Sequence, residues 1–400
     1  MGVLTGMGRE IRLAGVAVLL FALAACDPAE RTTGDAGSAS VAVHETPTPL
    51  PPLLDRRYHP ATQGLDSTLL AEALDEAASL SRLHSMIVAR HGEVVAERHF
   101  RGPGLDRPAN IKSASKSVLS ALVGLAVEDG YLEGVDQPVL PFFEEYLGTE
   151  ETEERREITL GHLLSMSSGL ESTSSRNYGP WVASSNWVRH AITRPMRSEP
   201  GTQMQYSTGS THLAAAVLEE ATGRSVHAYA VERLAEPLGI QLPRWPTDPQ
   251  GIYFGGNDML VSPRGLFRFG ETYRQGGEWE GRRILPREWV EASWEVRVIS
   301  PRRSSNRYGL GWWARTSGLH EIRFAWGYGG QFLFVVPALE LTVVFTSDPW
   351  SPREGPHNSR LHAILDDLLV PAAERGARGS GITVAESGAR GGGSLSGGSP

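Results

Sequence analysis

The chain has 400 residues, 40% of them hydrophobic, and its 38 basic and 46 acidic side chains leave a net charge of −8. That apolar share suffices for a packed core and excludes a wholly disordered chain, while the acidic balance argues against nucleic acid as the main partner. A single cysteine excludes an internal disulfide and a cysteine-based zinc site. The basic residues are 36 Arg and only 2 Lys, and both lysines, Lys112 and Lys116, fall within five positions. Arginine stays protonated in proteins, whereas a buried lysine can lose its proton and act as a base. The alternative is chance in an Arg-biased composition.

In chain order, Arg9 and Arg12 flank an apolar run, Leu13–Ala25, that is short for a membrane span and predicts an export signal over residues 1–25. It ends in Leu23-Ala24-Ala25-Cys26, which resembles the lipobox of bacterial lipoproteins and implies lipidation of Cys26. The expected location is then the bacterial cell envelope, with the domain facing the periplasm or exterior and held to the lipid membrane. Residues 26–54, rich in Ala, Thr, Ser and Pro, predict a semi-extended tether, and the Gly/Ser-rich residues 371–400 predict a disordered tail.

The foldable part is expected at about 55–370. Asp66 or Ser67 can cap a helix carrying Leu69, Leu70, Leu74, Ala77 and Leu80. Ser85–Arg90 and Glu93–Phe100 read as a hairpin turned at His91-Gly92. An apolar helix is predicted from Ser113 to Glu128, stopped at Asp129-Gly130. Further helices are predicted at Leu160–Met166, Ser210–Thr222, Val226–Ala235 and Pro286–Ser293. Strands are predicted at Leu310–Arg315, Glu321–Ala325, Phe332–Val336 and Leu341–Thr346. Early and late strands most simply share one antiparallel sheet flanked by helices, a mixed α/β (α+β) fold with an inserted helical subdomain at about 110–262. A cleft between the two parts is the natural place for a site.

Ser113-Ala114-Ser115-Lys116 has the form S-x-x-K at the start of the apolar helix. Helical spacing puts i and i+3 on one face, so the Lys116 amine can reach the Ser113 hydroxyl. The first turn offers free N–H groups and a positive dipole end to an oxyanion, and a desolvated lysine can activate a serine. Tyr206-Ser207-Thr208 precedes the Ser210–Thr222 helix. A phenol near a lysine would have its ionised form favoured and could pass protons to a leaving group, or the ring could simply pack. Trp326-Gly327-Tyr328-Gly329-Gly330-Gln331 leads into a strand, where glycines permit close approach of a ligand or another chain.

Together these segments resemble the serine β-lactamase and penicillin-binding-protein superfamily, in particular its class C β-lactamase-related esterases and 6-aminohexanoate-dimer hydrolases. Ile158–Leu170, Glu199-Pro200-Gly201 and Gly270 through Trp289-Val290 add to the likeness, and the three motifs lie 93 and 122 residues apart. The resemblance implies a β-lactamase/transpeptidase-like fold and a serine hydrolase that needs no cofactor. Ser113 would be the acylated nucleophile, Lys116 its general base and Tyr206 the acid/base for the leaving group, with the N–H groups of Ser113 and Gln331 as oxyanion hole. Thr208 stands where the family's tyrosine motif usually has Asn, and Tyr328-Gly329-Gly330 where β-lactamases have Lys-Thr-Gly. The missing lysine would hold a substrate carboxylate, a charge-assisted contact of about 1.5–3 kcal/mol. An ester or amide lacking that carboxylate is therefore the expected small-molecule substrate, with Arg323 the one nearby replacement cation. Thr208, Tyr328, Gly329 and Gly330 would contact the substrate, and Tyr178 and Trp181 would line its acyl pocket unless they pack in the core. A β-lactamase, a D-Ala-D-Ala peptidase, or a lipoprotein that acylates without turnover are the alternatives. No G-x-S-x-G or H-E-x-x-H occurs, and the twelve histidines show no ligand spacing, so no metal is expected.

Overall fold

The computed structural model of the chain describes residues 60–148, 152–301, 305–350 and 356–379. The expected signal, Cys26 and tether lie outside the described residues, as do 380–400.

Helix α1 (Ser67–Ser79) starts at Asp66, whose Oδ1 accepts from the N–H groups of Thr68 (2.9 Å) and Leu69 (3.2 Å). It buries Leu69, Leu70, Ala73 and Ala77; of the other expected positions Leu74 is only partly buried and Leu80 is buried at the C-cap. Strands β1 (Leu83–Arg90) and β2 (Glu93–His99) follow, joined by His91 and Gly92. Both turn residues have positive φ, 54° and 84°, the geometry that matches a two-residue hairpin to strand twist. Two short strands, β3 (Ala109–Asn110) and β4 (Leu260–Val261), pair with each other where the helical middle leaves and re-enters the sheet domain. The strands that complete the main sheet are β5 (Val298–Ile299), β6 (Arg307–Tyr308), β7 (Trp313–Ser317), β8 (His320–Gly327), β9 (Gln331–Val336) and β10 (Leu341–Ser347).

Among the described residues the main sheet has eight strands, all antiparallel, in the order β2-β1-β10-β9-β8-β7-β6-β5. Its central strands are buried on both faces, which is why they read as unbroken apolar runs instead of alternating ones. Ile87, Ala89, Leu333, Val335 and Val344 join the core under the helical middle, whereas Met86, Val88, Phe332, Phe334, Val343 and Phe345 join the core under α1 and the C-terminal helices. In that middle, α2 (Ser115–Glu128) and α3 (Thr208–Thr222) are fully or nearly fully buried, and Gly223 ends α3 at φ 65°.

Several elements depart from the sequence expectation. Leu310 and Gly311 do not pair as a strand but turn toward α2, where the Ser117 hydroxyl donates to the Gly311 carbonyl (2.6 Å). Helix α4 (Pro263–Arg274), which the sequence reading lacked, is capped by Ser262 and crosses the sheet. Its Gly270 lies so close to β9 that a Cβ there would meet Leu333 at 2.3 Å. The expected tail begins instead with a helix over Val370–Gly379, following His357–Ala363 and a wider turn over Ile364–Leu369. Ala372 and Ala373 are fully buried there, and the Ala372 carbonyl accepts from Asp66 N–H (3.0 Å). Small residues that suggest disorder serve here to let two backbones touch.

Helix α4 is also tied down electrostatically. Arg264, nearly fully buried, donates through Nε to the equally buried Glu97 on β2 (3.0 Å) and through Nη1 to Asp106. Removing one partner leaves a buried charge uncompensated. Glu97→Ala is therefore expected to lower unfolding free energy by about 3 kcal/mol, measured by urea denaturation.

Candidate active site

The site begins where β3 ends. Ile111 N–H donates to the Met259 carbonyl beside β4 (3.0 Å), and a single tight turn, Lys112–Ala114, then feeds α2. The helix thus starts at Ser115, two residues later than its periodicity indicated, but Lys116 still reaches back. Lys112 has φ 50°, a strained conformation for a residue with a side chain. The Lys112 N–H donates to Asn110 Oδ1 (2.8 Å), and Ser115 Oγ donates to the Lys112 carbonyl (2.5 Å). Ser115 in turn accepts from Met259 N–H (3.1 Å). Ser115 therefore holds the turn, while Ser113, half-buried, presents its hydroxyl to the site.

Lys116 is 1% exposed. Its Nζ lies 3.2 Å from Ser113 Oγ, 3.3 Å from Thr208 Oγ1 and 2.6 Å from the Gly256 carbonyl. Burial pushes its pKa down from the usual lysine range to about 7, with the Asp258 carboxylate pulling the other way. A neutral amine here can donate to Gly256 and Thr208 and keep its lone pair for the Ser113 proton. Gly256 is required for this contact, because a Cβ would clash with the Thr211 side chain and press on Lys116 Cγ at 3.2 Å.

Tyr206 sits just before α3. Its ring stacks on Trp313 (5.7 Å between centroids) and meets Tyr308 edge-on (6.4 Å), and Lys116 Nζ is 5.2 Å from its ring centre. Its hydroxyl contacts Ser113. The expectation of a favoured phenolate is reversed. Burial raises the phenol to about 12, more than the Ser113 contact lowers it, so Tyr206 holds its proton at neutral pH.

The third segment closes the site. Gly327 ends β8 against the Ser113 turn, so close that a Cβ would lie 2.1 Å from the Ile111 carbonyl oxygen. Gly329 (φ 86°) and Gly330 (φ 103°) make the turn into β9, with Tyr328 45% exposed at its tip. Gln331 is fully buried; its side chain donates to the Ser347 carbonyl (2.7 Å) and accepts from the Ser347 N–H (3.1 Å), pinning the backbone of β9.

The remaining sequence candidates divide. Thr208 joins Lys116 and bonds Ser174 Oγ (3.1 Å), which makes it part of the lysine's surroundings. Tyr178 is half-buried, and its hydroxyl accepts from Asn257 Nδ2 (3.1 Å). Trp181 packs in the core, the alternative its sequence left open. It is fully buried, donates to the Trp187 carbonyl (3.0 Å) and packs among Trp187, His212 and Phe254. Arg323 donates through Nη2 to Glu321 (2.6 Å). Among the described residues no group of three or more His, Cys, Asp or Glu is arranged to hold a metal ion.

Sequence reasoning missed the segment 255–259. It supplies the Gly256 carbonyl to Lys116, Asn257 to Tyr178, and Asp258 to Lys112 Nζ (2.9 Å). Its Gly-Gly-Asn-Asp composition signals a turn, and Asp258 does adopt φ 63°, but nothing local ties that turn to a lysine 140 residues earlier.

The Beta-lactamase family matches residues 84–366 of the chain. The chain is 25% identical over 221 residues to the 6-aminohexanoate-dimer hydrolase of Paenarthrobacter ureafaciens, an alignment covering 52% of this chain and 56% of that protein. It therefore spans about half the length of that relative. Among solved structures, the octameric penicillin-binding protein homologue from Pyrococcus abyssi superposes with a TM-score of 0.61 at 18% identity, covering 77% and 78% of the two chains. The D-stereospecific amidohydrolase from Streptomyces sp. superposes with 0.57 at 20% identity, covering 74% and 98%. Those two show the shared fold of an antiparallel sheet flanked by helices. With the family match running from β1 to residue 366, in the turn that precedes the last helix, the chain belongs to the Beta-lactamase family.

Proposed function

We propose that the protein cleaves a linear ester or amide through an acyl-enzyme on Ser113. The observation that carries this reading is the fully buried Lys116 amine, brought near neutrality and 3.2 Å from Ser113 Oγ. Lys116 Nζ takes the hydroxyl proton as Oγ attacks the acyl carbon. The N–H groups of Ser113 and Gln331 receive the charge developing on the carbonyl oxygen. Tyr206 gives its proton to the leaving atom and is replenished from the Lys116 ammonium. Water then attacks the acyl group, its proton passing to the same pair, and Ser113 leaves with a proton restored.

Tyr328-Gly329-Gly330 offers no ammonium for a substrate carboxylate, and the Arg323 charge is already paired with Glu321 through Nη2, so β-lactams and stem peptides are disfavoured as substrates. The name of the Paenarthrobacter relative points toward linear amides. The lipobox-like Leu23–Cys26 supports a lipid-tethered enzyme of the cell envelope.

A fluorophosphonate probe should label Ser113, and a panel of short-chain esters, linear amides and nitrocefin should show turnover of the first two over the third. Absence of labelling, or labelling that survives Ser113→Ala, would overturn the assignment. A burst on an activated ester with no steady rate would instead identify a protein that acylates and stalls. Tyr206→Phe is expected to slow amide hydrolysis by about a hundredfold. A 4-nitrophenyl ester, whose leaving group needs no proton, should lose much less.

A further inference from the structure

Lys112 is the second of the two lysines and has no part in the steps above. Its Nζ lies 2.9 Å from Asp258 Oδ1 and 3.4 Å from the ring centre of Trp350, and its side chain is 8% exposed. Asn110 Nδ2 donates to the same Asp258 oxygen (2.8 Å). Lys112 and Asp258 both hold positive φ, 50° and 63°. They stand on the two segments that the β3–β4 ladder brings together, one directly before Ser113 and the other two residues after Gly256. Strained residues persist where their surroundings over-determine them, and this partly buried ion pair is such a constraint.

The pair also bears on charge. Asp258 is the charged group that acts on Lys116 and stabilises its ammonium. The other polar side chains around that amine, Ser113, Tyr206 and Thr208, are neutral. An uncompensated carboxylate at this place would hold the base in its useless form. Resting on the catalytic reading above, we infer that Lys112 and Asp258 are positioning residues of the reaction: their ion pair locks the turn under Ser113 and offsets part of the pull of the Asp258 carboxylate on the base.

The test is the rate at which a fluorophosphonate labels Ser113 in the full chain, followed between about pH 5 and 9, which requires no knowledge of the substrate. Lys112→Met strips Asp258 of its counter-charge, so the acid limb should move up by about one pH unit, roughly a tenfold loss on that limb. Asp258→Asn removes the carboxylate and leaves the Lys112 cation, so the limb should move down by a similar amount. Lys112→Arg keeps the charge and should keep the limb, and the double variant should return near the wild type. A purely mechanical role would scale the rate equally at every pH. Limbs that stay put in both single variants, or move the same way, overturn the inference. If Lys112→Met fails to fold, Asp258→Asn and Lys112→Arg decide the matter by the same measure. No labelling of the wild type would defeat the catalytic reading, whereas labelling with an immovable limb defeats only the pair.

Discussion

Lys116→Met is expected to lower kcat/KM at pH 8 by about a thousandfold or more, nearly as far as Ser113→Ala. Methionine has much the same length and no charge, and it replaces a side chain 1% exposed among Gly256, Thr208 and Tyr206. The fold should therefore survive, and melting temperature is the control. What goes is the lone pair 3.2 Å from Ser113 Oγ. Because the two residues act as a unit, the double variant Ser113→Ala/Lys116→Met should be no slower than Ser113→Ala alone. The wild-type pH profile follows from the same amine. Lys116 must be neutral to accept a proton, so below about pH 7 the rate should fall roughly tenfold per unit as the ammonium accumulates. Above it the profile should be flat, since Tyr206 keeps its proton until about 12. A full rate in Lys116→Met, or a profile level through pH 6, would remove lysine from the mechanism.

Gly327→Ala should be nearly as harmful, although it adds a single methyl group outside the reacting atoms. That methyl would stand 2.1 Å from the Ile111 carbonyl and 2.9 Å from Gln331 Cβ. Ile111 is tied through its N–H to Met259, and Gln331 through its amide to Ser347, so neither side can yield cheaply. Strand β8 must then part from the turn carrying Ser113. A displacement near 1 Å costs about a hundredfold in rate, accompanied by about 1–3 kcal/mol of stability from overpacking. Gly104→Ala is the matched control, since nothing lies within 4 Å of its added Cβ; both kcat and urea midpoint should stay put. Unchanged turnover in Gly327→Ala would mean that β8 and the Ser113 turn need not touch.

What could be read from the chain beforehand was whatever local spacing determines. Ser113 and Lys116 are three apart, and the i,i+3 relation survives even though the helix proper begins at Ser115. The hairpin at His91-Gly92 and the α1 cap at Asp66 are equally local. Gln331 came only through family resemblance, and Tyr206 stayed open between catalysis and packing until that resemblance, since nothing nearby distinguishes a catalytic tyrosine from a packing one. Trp181 shows a related limit: an aromatic-rich stretch does not say which ring faces inward. Gly256 was invisible because its contribution is a backbone carbonyl, and Asp258 because its partner comes from across the fold. Helix α4 and the helix after Val370 were hidden by glycines and alanines whose purpose is close packing. For Tyr206 the chemistry itself was misjudged, since proximity to a lysine mattered less than loss of water.

The ladder of Ala109–Asn110 against Leu260–Val261 sews together the two ends of a long excursion of the chain. Closure entropy grows only logarithmically, about 0.6 kcal/mol for each doubling of length. Surface stretches of that excursion can therefore lengthen or shorten almost freely, while the stitched ends keep hydroxyl, amine and carboxylate in register. New substrate tastes can be acquired by remodelling the rim, with the chemical engine left in place.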